Sequence, residues 1–196
     1  MTRVIDRGAI TAAYVGIGMA VTIAISFLLV IPIEPIYLLL SVPAGLLIGY
    51  YANQRSGRAG GPWARIVANA VFAGAITGIA LAALLLAVKA LFFFADNGYR
   101  DPGLGGSISC EPGADCVYRR YVADLRSDAM AAQGVTDAAS FARFYWGQQA
   151  STAGLLLVVS IGAALGGGVL FGATQRRSPR AAASAGPDGP EVPAAT

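Results

Sequence analysis

The chain lacks histidine, has one lysine, and carries two cysteines among 196 residues. Without histidine there is no side chain whose ordinary pKa suits proton exchange near neutrality, and no imidazole to hold haem or zinc. Two thiols cannot build a four-cysteine metal centre. Charge is also scarce: Asp, Glu, Lys and Arg make up 13% of the chain, while 56% is hydrophobic. Ordinary soluble domains carry about 25% charged residues. The glycine-rich stretches "GGPWAR" and "GLGGS" lack the lysine and the strand–turn–helix setting of a phosphate-binding loop. No catalytic constellation is visible, so the expectation is no enzyme, no cofactor and no metal site.

The few charges are unevenly placed. None occurs in residues 8–33, 35–53, 66–88 or 144–175. Apolar runs of about 18 or more residues without charge have the length of membrane spans. The sequence therefore predicts an all-α integral membrane protein with four transmembrane helices, at about 9–31, 35–51, 66–94 and 148–174. The first run is too long for the apolar part of a signal peptide and has no small-residue cleavage site after it, so it reads as a retained helix. Pro32 and Pro35 force a tight reversal before the second span, Glu34 sits at that helix's positive end, and Pro43 is expected to kink it. Upstream of the fourth span, "TDAASFARFYW" has helical spacing with Thr136 as an N-cap. That helix should start near Asp137 and project past the bilayer unless Gly147 breaks it.

Orientation follows from arginine. Arg3, Arg7, Arg55, Arg58, Arg65, Arg176, Arg177 and Arg180 all fall on one side of a four-span layout. By the positive-inside rule that side is cytoplasmic, with both termini. The loop 95–147 then lies extracytoplasmically, and there seven acids outnumber five arginines. Abundant Ala, Gly and Arg suggest a GC-rich bacterial genome, hence a bacterial inner membrane. The tail 176–196, rich in Pro, Ala and Gly, is expected to be disordered. The basic turns are accounted for by topology, so no nucleic-acid partner is expected.

The outer loop holds both cysteines. Between Cys110 and Cys116 lies "EPGAD", whose Pro-Gly suits the centre of a type II turn. An oxidising compartment and a folded-back turn predict a Cys110–Cys116 disulfide. A metal site assisted by Glu111 or Asp115 would have too few ligands. Residues 117–133 read as an amphipathic helix with Tyr118, Tyr121, Val122, Leu125 and Ala129 on one face, ended by Gly134. That face either caps the protein's own bundle or docks another subunit.

Within the spans, Gly45 and Gly49, Gly74 and Gly78, and Gly162 and Gly166 repeat at four-residue spacing, which lets helices approach closely. Gly74, Gly78, Gly162, Gly166, Tyr118, Tyr121 and Leu125 are the candidate interface residues. Asn69 should make an interhelical hydrogen bond. Lys89 lies near the outer end of the third span and should reach the interface, toward lipid phosphate or Glu34.

Four spans with a large disulfide-bearing loop between the third and fourth are similar in outline to the tetraspanin plan. The Cys-Cys-Gly motif of that family's loop is missing, so the similarity is one of architecture and carries over no residue. A membrane enzyme acting on lipids would need Asp96, Asp101, Glu111, Asp124 and Arg119–Arg120 of the outer loop, whose spacing does not select it, and two other functions fit the pattern better. One is a non-catalytic accessory, assembly or scaffold subunit of a larger membrane complex, bound to lipid and to other membrane subunits. The alternative is a small oligomeric transporter or channel for a neutral solute.

Overall fold

The computed structural model describes residues 5–30, 34–57, 61–95, 110–123 and 127–175. Its elements are α1 (Arg7–Ala24), α2 (Glu34–Arg55), α3 (Trp63–Ala95), α4 (Ala114–Tyr121), α5 (Ser127–Ala131) and α6 (Ala138–Gln175). The end of α1 widens into a π-helical turn, Ile25–Val30, just before Pro32, whose missing N–H could not extend the ladder. α2 runs through Pro43 as one helix.

α1 with its π-turn, α2, α3 and α6 are long and apolar enough to cross a membrane. Their packing points the same way. Alanines fill the interior: Ala9, Ala12, Ala52 and Ala73 surround Ile48 in one cluster. Many large apolar side chains also face out, with Tyr14 72% and Leu39 and Val158 each 67% exposed. A water-soluble protein puts its large apolar groups inside. Small residues at the helix seams and large apolar groups exposed on the outside fit helices packed in lipid, and make the chain a candidate multi-pass membrane protein.

The four long helices alternate in direction. At one end of the bundle, Gly8 of α1 lies against the backbone of Arg55 and Ser56, and Gly172 of α6 against the Trp63 indole. At the other end, Phe93 of α3 meets Tyr145 of α6. α2 and α3 touch each other, and each touches both α1 and α6, which sit on opposite sides of that pair. Between them a second cluster joins Ala20, Ala24, Leu28, Tyr37, Leu81, Leu85, Val88 and Leu156. The Tyr37 hydroxyl donates to the Leu81 carbonyl at 2.7 Å, so this buried phenol is satisfied.

The helices overrun the charge-free windows. α2 reaches Arg55, α3 starts at Trp63, and α6 starts at Ala138, ahead of its charge-free window and next to Asp137, where the helical spacing placed it. Lack of charge marks only the part of a helix that lipid requires to be apolar, whereas the backbone ladder continues into polar sequence. Gly147 lies inside α6 and does not break it. At about 1.5 Å per residue, α6 is roughly 57 Å long, well beyond a hydrocarbon core of about 30 Å. Its N-cap is Asp137, not Thr136. The Ser140 N–H donates to Asp137 Oδ1 at 2.7 Å, and the Asp137 N–H donates back to Ser140 Oγ at 3.1 Å. That reciprocal pair is a capping box, which the carboxylate one residue further on wins.

Candidate functional site

Beyond the α3 C-terminus the chain builds a small core of its own. Phe93, Met130, Val135, Phe141 and Tyr145 are buried together, with Val117, Tyr118, Tyr121, Val122 and Trp146 packed around them. Phe141 is fully buried. Its ring centroid lies 5.7 Å from Tyr118, 5.1 Å from Tyr121 and 6.0 Å from Tyr145. Tyr145 continues to Phe93 at 5.0 Å, and Phe93 to Trp146 at 5.4 Å. Each such pair adds about 0.5–1.5 kcal/mol beyond area burial. The result is an aromatic cap, made by α4, α5, the overhang of α6 and the last turn of α3.

Local chemistry fixes the pieces. Cys110 and Cys116 form a disulfide with a Cα–Cα distance of 5.5 Å. The turn between them differs from the expected type II turn. Gly113 has φ 137° and ψ −175° as the N-cap of α4, whereas the glycine of a type II turn sits near φ about +80°, ψ about 0°. Cys116 falls in the first turn of α4, and the bends at 112 and 113 bring Cys110 back to it. Only glycine adopts the Gly113 conformation readily. The amphipathic segment begins at Ala114, not 117, and is helical over Ala114–Tyr121 and Ser127–Ala131, with 124–126 outside the described residues. α5 ends in a Schellman turn: Gly134 takes φ 73°, the Val135 N–H donates to the Met130 carbonyl, and the Gly134 N–H donates to that of Ala131. The Tyr118 hydroxyl donates to the Thr136 carbonyl at 3.0 Å, tying α4 to the start of α6.

Tyr118 and Tyr121 thus face this internal core. Leu125 lies outside the described residues, as do the side chains of Ala129 and Glu34. Lys89 is half-buried near the end of α3. Around the disulfide turn, Cys110, Glu111, Pro112, Gly113, Asp115 and Arg119 line a polar concavity of about 520 Å³. Asp115 and Arg119 pair at 2.7 Å, but both are more than 60% exposed, so the pair orients more than it stabilises.

The glycine pairs divide into two groups. Gly74 and Gly78 sit in the seam between α3 and α6. A Cβ on Gly74 would lie 2.5 Å from that of Ala164, and one on Gly78 would lie 3.1 Å from Leu157 Cα. Gly45 and Gly49 fill the α2–α6 seam in the same way. Gly162 faces open space, and Gly166 meets only the tip of Leu46. α6 enters the seams through Gly167 and Gly168 instead, whose Cβ positions are blocked by the Leu46 carbonyl and by Ala70.

A polar junction not foreseen from sequence ties α1, α2 and α3 at the opposite end. Asn69 accepts from the Asp6 N–H at 3.1 Å and donates to Asp6 Oδ2 at 2.9 Å. Its amide also reaches Ser56 Oγ at 3.4 Å. Asn53 donates to the carbonyls of Gly49 and Ile66, both at 3.1 Å. Asn53 and Asn69 are fully buried. Asn69 thus makes the interhelical bond expected of it, but its partners, remote in sequence, carried no local signal. The cap had one: Phe141 and Tyr145 stand at four-residue spacing on one face of α6. Comparisons with protein-family models, curated proteins and solved structures find no match for this chain.

Proposed function

We propose that this protein is a non-catalytic accessory or assembly subunit of a larger membrane protein complex, resident in a bacterial inner membrane. Its arginine-bearing end faces the cytoplasm and its aromatic cap lies outside. The orientation is supported by Arg7, Arg55 and Arg65, which the alternating helices gather at the end opposite the cap.

The observation that carries the functional reading is the cap. The four-helix bundle has two core clusters of its own, apart from that of the cap. The chain nonetheless builds a separate aromatic core, a disulfide and an N-capped overhang of α6 beyond α3. Long connections with structure of their own are usually functional, and a rigid cap with a polar concavity suits protein contact better than turnover. Blue-native electrophoresis in mild detergent, with mass spectrometry of the excised band, tests this. The expected result is a stable assembly containing other membrane subunits.

The transporter reading has one observation in its favour. Gln149 and Ser160 lie on the inward face of α6, buried, with Gln149 Oε1 and Ser160 Oγ lacking hydrogen-bond partners. A protein that runs as a pure homo-oligomer and moves a neutral solute into liposomes would replace the subunit reading with this one.

A further inference from the structure

The junction of α1, α2 and α3 frames three arginines. Arg7 lies between Asp6, which bonds Asn69, and Gly8, which rests on the backbone of Arg55 and Ser56. Arg55 follows Asn53 by two positions, and Asn53 holds the carbonyl of Ile66, next to Arg65. The two buried amides thus bond residues next to each arginine: Asp6 beside Arg7, Ser56 beside Arg55 and Ile66 beside Arg65. Arg7 and Arg55 are exposed, and Arg65 is half-buried. Among the described residues no carboxylate forms an ion pair with any of the three. One oxygen of Asp6, the acid beside them, is turned to the Asn69 amide. The N-termini of α1 and α3 and the C-termini of α2 and α6 share this end, so the helix dipoles offset one another and the positive charge there is that of the arginines. Trp63, 37% exposed and packed on Gly172, is the residue type that settles at headgroup depth.

We infer that this junction binds the phosphate of an anionic glycerophospholipid. Guanidinium groups hold phosphate oxygens in paired, charge-assisted hydrogen bonds. At the end of a lipid-crossing bundle the phosphate to hand is that of the headgroup layer, with acyl chains lying along the exposed apolar faces of α1 and α2. A zwitterionic headgroup brings its own cation to the same place and gains less. The inference rests on the membrane reading but not on the subunit reading.

The test is native mass spectrometry of the full chain in detergent with equal amounts of phosphatidylglycerol and phosphatidylcholine. The wild type should retain phosphatidylglycerol at least fivefold over phosphatidylcholine. Each of Arg7→Gln, Arg55→Gln and Arg65→Gln should lower that ratio, by up to about fivefold for roughly 1 kcal/mol per basic residue. Arg119→Gln, at the other end, should leave it unchanged. Equal retention of the two lipids, or an equal loss in Arg119→Gln, overturns the site. Displacement of the lipid by millimolar inorganic phosphate would assign a free-phosphate site instead and also overturns it. Circular dichroism of each variant separates lost binding from lost folding. Vesicle flotation of the wild type checks the membrane reading separately.

Discussion

At Gly49 a single methyl group would collide with main chain: an added Cβ meets the carbonyl and Cα of Ala164, which no rotamer change can move aside. Gly49→Ala should therefore destabilise the bundle by about 1–3 kcal/mol through overpacking. Gly162→Ala faces open space and should stabilise it by about 0.5–1 kcal/mol through reduced backbone freedom in the unfolded chain. Tryptophan emission during graded SDS unfolding measures both. A neutral Gly49→Ala would mean that the α2–α6 seam is looser than described. Asp137 makes a pH-dependent contribution. The Ser140 N–H, then its hydroxyl, hold the Asp137 carboxyl below its ordinary value of 3.8. A depressed folded pKa gives stability that is present above the ordinary value and lost as pH falls through the folded one. Amide exchange at Ala138–Gln175 should thus quicken at its first turn as pH drops below about 4, after correction for intrinsic rates. Asp137→Asn keeps a good N-cap but cannot titrate, and should flatten that response. An unchanged acid response in Asp137→Asn would assign it to another group.

Among the elements, α6 does most to connect the molecule, since its C-terminal part lines two seams of the bundle and its N-terminal overhang carries half of the cap. Phe141→Ala should cost the cap about 3–5 kcal/mol while leaving the bundle folded. Amide exchange would then rise in Ala114–Tyr121 but not in Glu34–Arg55. Reducing the disulfide, whose cysteines are six apart, should do the same more weakly, for a closure term of about 2 kcal/mol. Loss of protection throughout α2 in either case would show cap and bundle to be one cooperative unit. The spans were legible because lipid forbids charge and obliges each backbone group to bond within its own helix. Each charge-free window therefore maps onto one of α1, α2, α3 and α6. The seams were only half legible. Four-residue spacing finds Gly45, Gly49, Gly74 and Gly78, but in the run Gly166-Gly167-Gly168 spacing cannot say which glycine faces inward. Ser160, Ala164 and Phe171 settle that by being buried. The Asp6–Asn69 pair was illegible because its members are 63 positions apart, and nothing in either neighbourhood announces the other.

For the whole molecule, the claim on which the rest depends is that four helices alternate through a membrane, with the arginine end inside and the cap outside. The chain is suited to a direct test. Its two cysteines are joined to each other, so one introduced cysteine is the only reactive thiol. Gln54 is exposed at the arginine end of α2, and Arg143 is exposed on the overhang of α6. In right-side-out membrane vesicles, a membrane-impermeant maleimide should label Arg143→Cys at once and Gln54→Cys only after permeabilisation. Labelling of both positions from the same side, or of Gln54→Cys alone in sealed vesicles, would contradict the account.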